Sequence, residues 1–116
     1  MASRLAAQMY TVRDFTKTPQ GIAESLRKIR AIGYEAVQIS AIGPIDYKEL
    51  KKMLDGEGLV ACAQHSRWES FLENIEAVIE EYKTIDCRHA AIGSIPKEYK
   101  SAEGFKRFAE EASRVA

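Results

Sequence analysis

Two textures alternate along the chain. Short, nearly unbroken apolar runs occupy residues 5–10, 36–40, 59–64 and 89–92. Between them lie longer stretches in which apolar residues recur every three or four positions. The short runs suit parallel strands covered on their faces, and the longer stretches suit amphipathic helices. The helices have readable ends. The first opens on Thr18 as N-cap with Pro19 behind it, where a missing N–H is harmless. Its stripe is Ile22, Leu26, Ile29 and Ile32, and Gly33 closes it. The second opens on Asp46 with Glu49 three residues on, buries Leu50, Met53 and Leu54, and stops at Gly56. The third starts either at Ser66, where Glu69 completes a capping box, or nearer Ser70. Its stripe is Phe71, Leu72, Ile75, Val78, Ile79 and Tyr82. The fourth opens near Ser101 and carries Phe105, Phe108, Ala109, Ala112 and Val115.

This pattern predicts an α/β chain of four βα units, with strand starts far enough apart for right-handed parallel crossovers. Such units build either an open doubly wound sheet or part of a closed barrel. The last apolar stripe is still running at Arg114-Val115-Ala116, without a glycine or asparagine stop. The expected fold is therefore (βα)4, half of a (β/α)8 barrel with parallel strands and outer helices, whose full length is about 250 residues. Residues 1–116 read as the N-terminal half of a longer chain.

Composition narrows the function classes. Lys plus Arg and Asp plus Glu number 17 each, so no net charge draws the chain to nucleic acid or to an anionic membrane. No apolar run approaches the ~20 residues of a membrane helix. The opening MASRLAAQMYTVRDF has too short an apolar stretch for a secretory signal. Cys62 and Cys87 form no C-x-x-C pair and read as reduced structural thiols, which places the protein in the cytoplasm. The chain has no G-x-x-x-x-G-K-[ST], H-E-x-x-H or G-x-S-x-G motif.

LAAQMYTVRDF followed by SLRKIRAIGYEAVQIS, and then GLVACAQHS and HAAIGSIP, resembles the sugar phosphate isomerase/epimerase family, the xylose isomerase-like TIM barrels. The resemblance runs the length of the chain. It implies an active site at the C-terminal ends of the strands. Here those ends offer Tyr10, Gln38, Ser40, Gln64, His65 and Ser94. His65 matches a histidine that looks like a substrate-pocket residue, and Tyr10 matches an aromatic that faces the sugar in relatives. Relatives often carry glutamate where this chain has Gln38, so one possible charge is gone from the second strand end.

Each residue has a plainer reading beside the sharp one. Tyr10 plugs the barrel top, His65 caps a helix or meets only solvent, and Trp68 covers the helix start rather than a sugar ring. Gln38 ties strand ends together instead of holding a hydroxyl. His89 is structural. The substrate-binding set expected from the resemblance is Tyr10, Gln38, His65 and Trp68, with no catalytic residue assigned.

The resemblance also implies metal-assisted proton abstraction on a small sugar or polyol, phosphorylated or not. The divalent ion would be manganese, magnesium or zinc, held by residues of later strands, so no complete metal site is expected in these residues. Two other readings stand: a non-catalytic carbohydrate-binding half-barrel, or a small doubly wound domain. A half-barrel leaves its first and fourth strands unpaired and Val37, Ile39 and Val60 facing an empty interior. The expected partner is a second copy in a homodimer, or the missing C-terminal half.

Overall fold

The computed structural model describes residues 5–116. The first four residues of the opening read above as no secretory signal lie outside the described residues. Four parallel strands follow one another in the sheet in chain order: β1 (Ala6–Gln8), β2 (Ala36–Ile39), β3 (Val60–His65) and β4 (Ala90–Ala91). A doubly wound sheet reverses direction at a switch point. This one does not reverse, so the open-sheet alternative falls and the barrel-type order stands.

The helices are α1 (Pro19–Ile32), α2 (Tyr47–Glu57), α3 (Trp68–Glu73), α4 (Ile75–Thr84) and α5 (Ala102–Val115). Three caps form as the sequence predicts. Thr18 accepts from the Gly21 amide, Asp46 from the Lys48 and Glu49 amides, and Ser101 from the Gly104 amide.

Several expectations need correction. The first strand is shorter than residues 5–10, because Met9 turns into a 3-10 helix, Met9–Phe15, and is itself fully buried. The fourth strand keeps only two residues of the run 89–92. The second helix passes through Gly56 and stops at Gly58, whose left-handed φ of 68° is the conformation glycine adopts at little cost. The third helical stretch is two helices. Asn74 breaks it and caps the second by accepting from the Ala77 amide. No capping box forms at Ser66, whose hydroxyl pairs with the Tyr82 hydroxyl at 2.9 Å.

The sheet faces also differ from expectation. Strand register puts Ala7, Val37 and Ala61 on one face and Ala6, Ala36 and Val60 on the other. Val37 and Ile39 do not point into a barrel interior. They are buried under the helices in one cluster with Ile22, Leu26, Leu50 and Leu54. Val60 does lie on the uncovered inner face, 58% exposed.

Candidate functional site

The inner face carries its polar residues near the C-terminal ends of β1, β2 and β3. A register shift in β3, opposite Val37 and Gln38, decides which residues these are. Val37 pairs with Ala61, but Gln38 pairs with Ala63, so Cys62 is the extra residue of a bulge. Strict alternation from Val60 would aim Gln64 inward and His65 outward. The extra residue reverses this.

Gln64 points to the helix side instead, 2% exposed, with its Nε2 donating to the Tyr47 hydroxyl at 2.9 Å. His65 points inward, and its Nε2 lies 3.0 Å from Gln38 Nε2. The structure therefore separates two residues that the sequence placed together on one rim.

A chain of hydrogen bonds fixes the roles around Gln38. The Tyr10 backbone N–H donates to Ser40 Oγ at 3.0 Å, and the Ser40 hydroxyl donates to Gln38 Oε1 at 3.3 Å. The oxygen of the Gln38 amide is thereby taken, so its Nε2 donates and His65 Nε2 accepts. The ring is thereby oriented with Nε2 toward Gln38 and Nδ1 toward the loop after β4. A Cβ built on Gly93 would sit 3.6 Å from that Nδ1, so the loop after β4 passes close over the ring.

Tyr10, Ser40 and His65 border a 390 Å³ cleft lined also by Trp68, Glu69 and Gly93, among others; Gln38 stands behind His65 and does not line it. Tyr10 sits in the 3-10 helix and not on a strand. Its ring is half-exposed under the Arg13 guanidinium, 4.2 Å from the ring centroid. Trp68 reaches the cleft but is 5% exposed. It packs against Phe108 at 4.7 Å between centroids and donates to the Tyr99 hydroxyl at 3.4 Å. Its contacts are those of a core residue. His89 lies just before β4, where its carbonyl accepts from the Gln64 amide, and it stands away from the cleft.

Sequence reasoning assigned no site role to Glu69, Arg67 or Ala41, all of which line the cleft. Glu69 was read as a capping residue; its carboxylate instead meets Arg67 at 3.7 Å. Ala41 holds a left-handed φ of 51°, uncommon for alanine. Only the bulge could have revealed the inward turn of His65, and a run of small residues gives no alternation to betray it.

On the helix side, Tyr47, Gln64, Glu73 and Glu81 line a second cavity of 310 Å³. Burial, helped by Glu81, pushes the Tyr47 hydroxyl up to about 12, and burial also raises the Glu81 carboxyl. Gln64 Oε1 is buried with no protein partner among the described residues.

The donor set does not fit a divalent cation. The cleft offers one imidazole, whose Nε2 already accepts from Gln38, and one carboxylate held by Arg67. Among the described residues no three of His, Cys, Asp and Glu come together as ligands. What the cleft can do is hydrogen-bond a neutral, hydroxyl-rich molecule through imidazole and hydroxyl groups.

Parallel strands in sequential order, with the buried core on one face and polar residues at the strand ends of the other, define half of a barrel-type α/β protein. Solved structures specify the type. A xylose isomerase domain-containing protein from Salmonella typhimurium LT2 matches with a TM-score of 0.62 at 13% identity, over 97% of this chain and 46% of that one. The family 2 AP endonuclease of Brucella melitensis matches with a TM-score of 0.61 at 14% identity, over 98% of this chain and 51% of that one. The fold is that of a xylose isomerase-like TIM barrel, and the chain spans about half the length of the solved structures it matches. No sequence family and no curated protein matches it. Among the described residues no helix is long and apolar enough to cross a membrane.

Proposed function

We propose that this chain is the substrate-binding part of a sugar isomerase- or epimerase-like barrel, and that it holds a small sugar or polyol at the Gln38–His65 pair. The observation that carries this reading is the inward His65, held by Gln38, at a cleft of 390 Å³. Vicinal hydroxyls both donate and accept. The cleft supplies matching groups: the His65 imidazole, oriented by Gln38, and the hydroxyls that line it. The balance of 17 basic and 17 acidic residues supplies no field for a polyanion, so the nuclease name of one structural neighbour is not carried over.

The role of these residues is binding and orientation. Proton transfer next to a carbonyl needs a positioned base, and the one carboxylate at the cleft is paired with Arg67. The chain alone is therefore expected to bind without turnover, and no epimer should form from a ketose supplied with manganese.

Titration of the chain with a ketohexose such as fructose, followed by His65 ring NMR signals, tests the binding. Gln38→Leu should weaken it about ten-fold, roughly 1.4 kcal/mol, because one oriented hydrogen-bond group is lost. Unchanged His65 signals at saturating sugar would sink the reading.

A further inference from the structure

We infer that the helix-side cavity is a second binding site, independent of the strand-end cleft, and that it takes a small organic ammonium ion: a primary amine head on a short apolar tail. The cavity measures 310 Å³, at the lower end of the range of small-molecule sites. It lies between α2 and α4 beside the end of β3, and these helices pack on each other within the chain.

Gln64 gives the first argument. Its side chain is 2% exposed and lines the cavity, and its Nε2 serves Tyr47 and Glu81. Turning the amide round would set its oxygen against the Glu81 carboxylate, so charge fixes the orientation. Oε1 has no protein partner among the described residues. A buried acceptor of this kind calls for a donor, and the cavity is where one can stand.

Charge gives the second argument. Glu73 and Glu81 bring carboxylates to the lining, and neither meets a lysine, arginine or histidine at ion-pair distance among the described residues. Arg67, the one guanidinium of the wall, pairs with Glu69 instead. Burial raises the Glu81 carboxyl, and a cation beside it would offset that cost. A divalent metal does not suit the cavity. It demands several ligands around one point, and no three of His, Cys, Asp and Glu come together among the described residues. An ammonium head does suit it, because its three N–H groups reach an amide oxygen and a carboxylate at once. Ala77 and Val78 supply an apolar wall for the tail.

NMR titration of the 116-residue chain with n-butylammonium chloride at neutral pH, read at Tyr47 and Ala77, tests the inference. The expected result is saturable binding in the millimolar range. Glu81→Gln removes the charge and keeps the shape, and it should raise the Kd at least about ten-fold. Ala77→Phe, at an exposed position of α4, should fill the cavity and abolish binding while far-UV circular dichroism is preserved. Tetramethylammonium carries the same charge without an N–H, and it should not saturate the same signals. Absence of saturation, an equal response to tetramethylammonium or sodium, or a Kd indifferent to both variants would overturn the inference. The sugar titration uses another ligand and should be indifferent to Ala77→Phe, so either site can fail without the other.

Discussion

α1 and α5 are each 14 residues long, each opens on a hydroxyl cap and each carries an apolar stripe. Their fates differ. α1 buries Ile22, Ser25, Leu26 and Ile29, whereas α5 buries only Gly104. The difference lies in position. α1 follows β1 and meets α2 on the covered face of the sheet, over Val37 and Ile39 of β2. α5 follows the edge strand β4, rests on the short 3-10 turn Lys97–Tyr99 before it, and sets Phe108, Ala112 and Val115 against the rim of the core only partly buried. A stripe announces that a helix has an apolar face. Only topology says how much of that face the rest of the fold covers.

The largest test of this contrast is a pair of truncations. Leu26 is completely buried, and Leu26→Ala should cost about 2–5 kcal/mol through lost transfer energy and a residual cavity. Phe105→Ala should cost less than about 1 kcal/mol, since half of that ring is already in water. Urea midpoints at constant m-value give both numbers. Equal losses would show that α5 is packed within one chain as firmly as α1.

The same contrast explains what the sequence disclosed. Caps at Thr18, Asp46 and Ser101 were legible because a side chain two or three residues from its backbone partner makes a local bond. The alternation of short runs with helical stripes was legible, and with it the order of the units. Strand ends were less so: Met9 and His89 continue apolar runs but leave the ladder. Gln64 and His65 were placed together on the rim because no local signal marks the bulge at Cys62. That shift is set by how β3 lies against β2. Ile32, inside a regular stripe, is 75% exposed because it is the last residue of α1, beyond the part of the helix that lies on the sheet. Trp68 stood in the expected substrate set because it follows His65 closely, beside the plainer reading as a cover for the helix start; Phe108 and Tyr99, distant in sequence, draw it into the core.

A smaller effect belongs to the open mouth of the barrel. Ala41 follows Ser40 at the end of β2 with φ of 51°. Its conformation is imposed by neighbours. The Gly43 amide donates to the Thr16 carbonyl at 2.7 Å, and the Thr16 hydroxyl reaches the Ala41 carbonyl at 3.4 Å. A left-handed alanine costs roughly 1–2 kcal/mol, while glycine there loses about 0.5–1 kcal/mol more entropy on folding. Ala41→Gly should therefore stabilise by about 0.5 kcal/mol in chemical denaturation. A clear loss would mean that the alanine methyl makes packing contacts worth more than the strain.

The smallest expected effect lies on the covered side, at Glu81, and it depends on pH. Burial holds the Glu81 carboxyl above the usual carboxylate range, and the bond from Gln64 only partly offsets this. A carboxyl with a raised pKa binds more protons folded than unfolded, so stability falls as pH rises through the window between the two values. The penalty is absent below the ordinary carboxylate pKa and fully present at neutral pH. Glu81→Gln keeps the shape, can still accept from Gln64 and removes the charge. Because the group is only half-buried, the gain at pH 7 should be a few tenths of a kcal/mol, and it should vanish near pH 3, where both forms are neutral. Parallel urea curves at the two pH values decide the matter. A gain of the same size at both would assign it to packing against Tyr47 and Gln64 rather than to the cost of a buried charge. A loss at neutral pH would mean that the Gln64 bond outweighs burial.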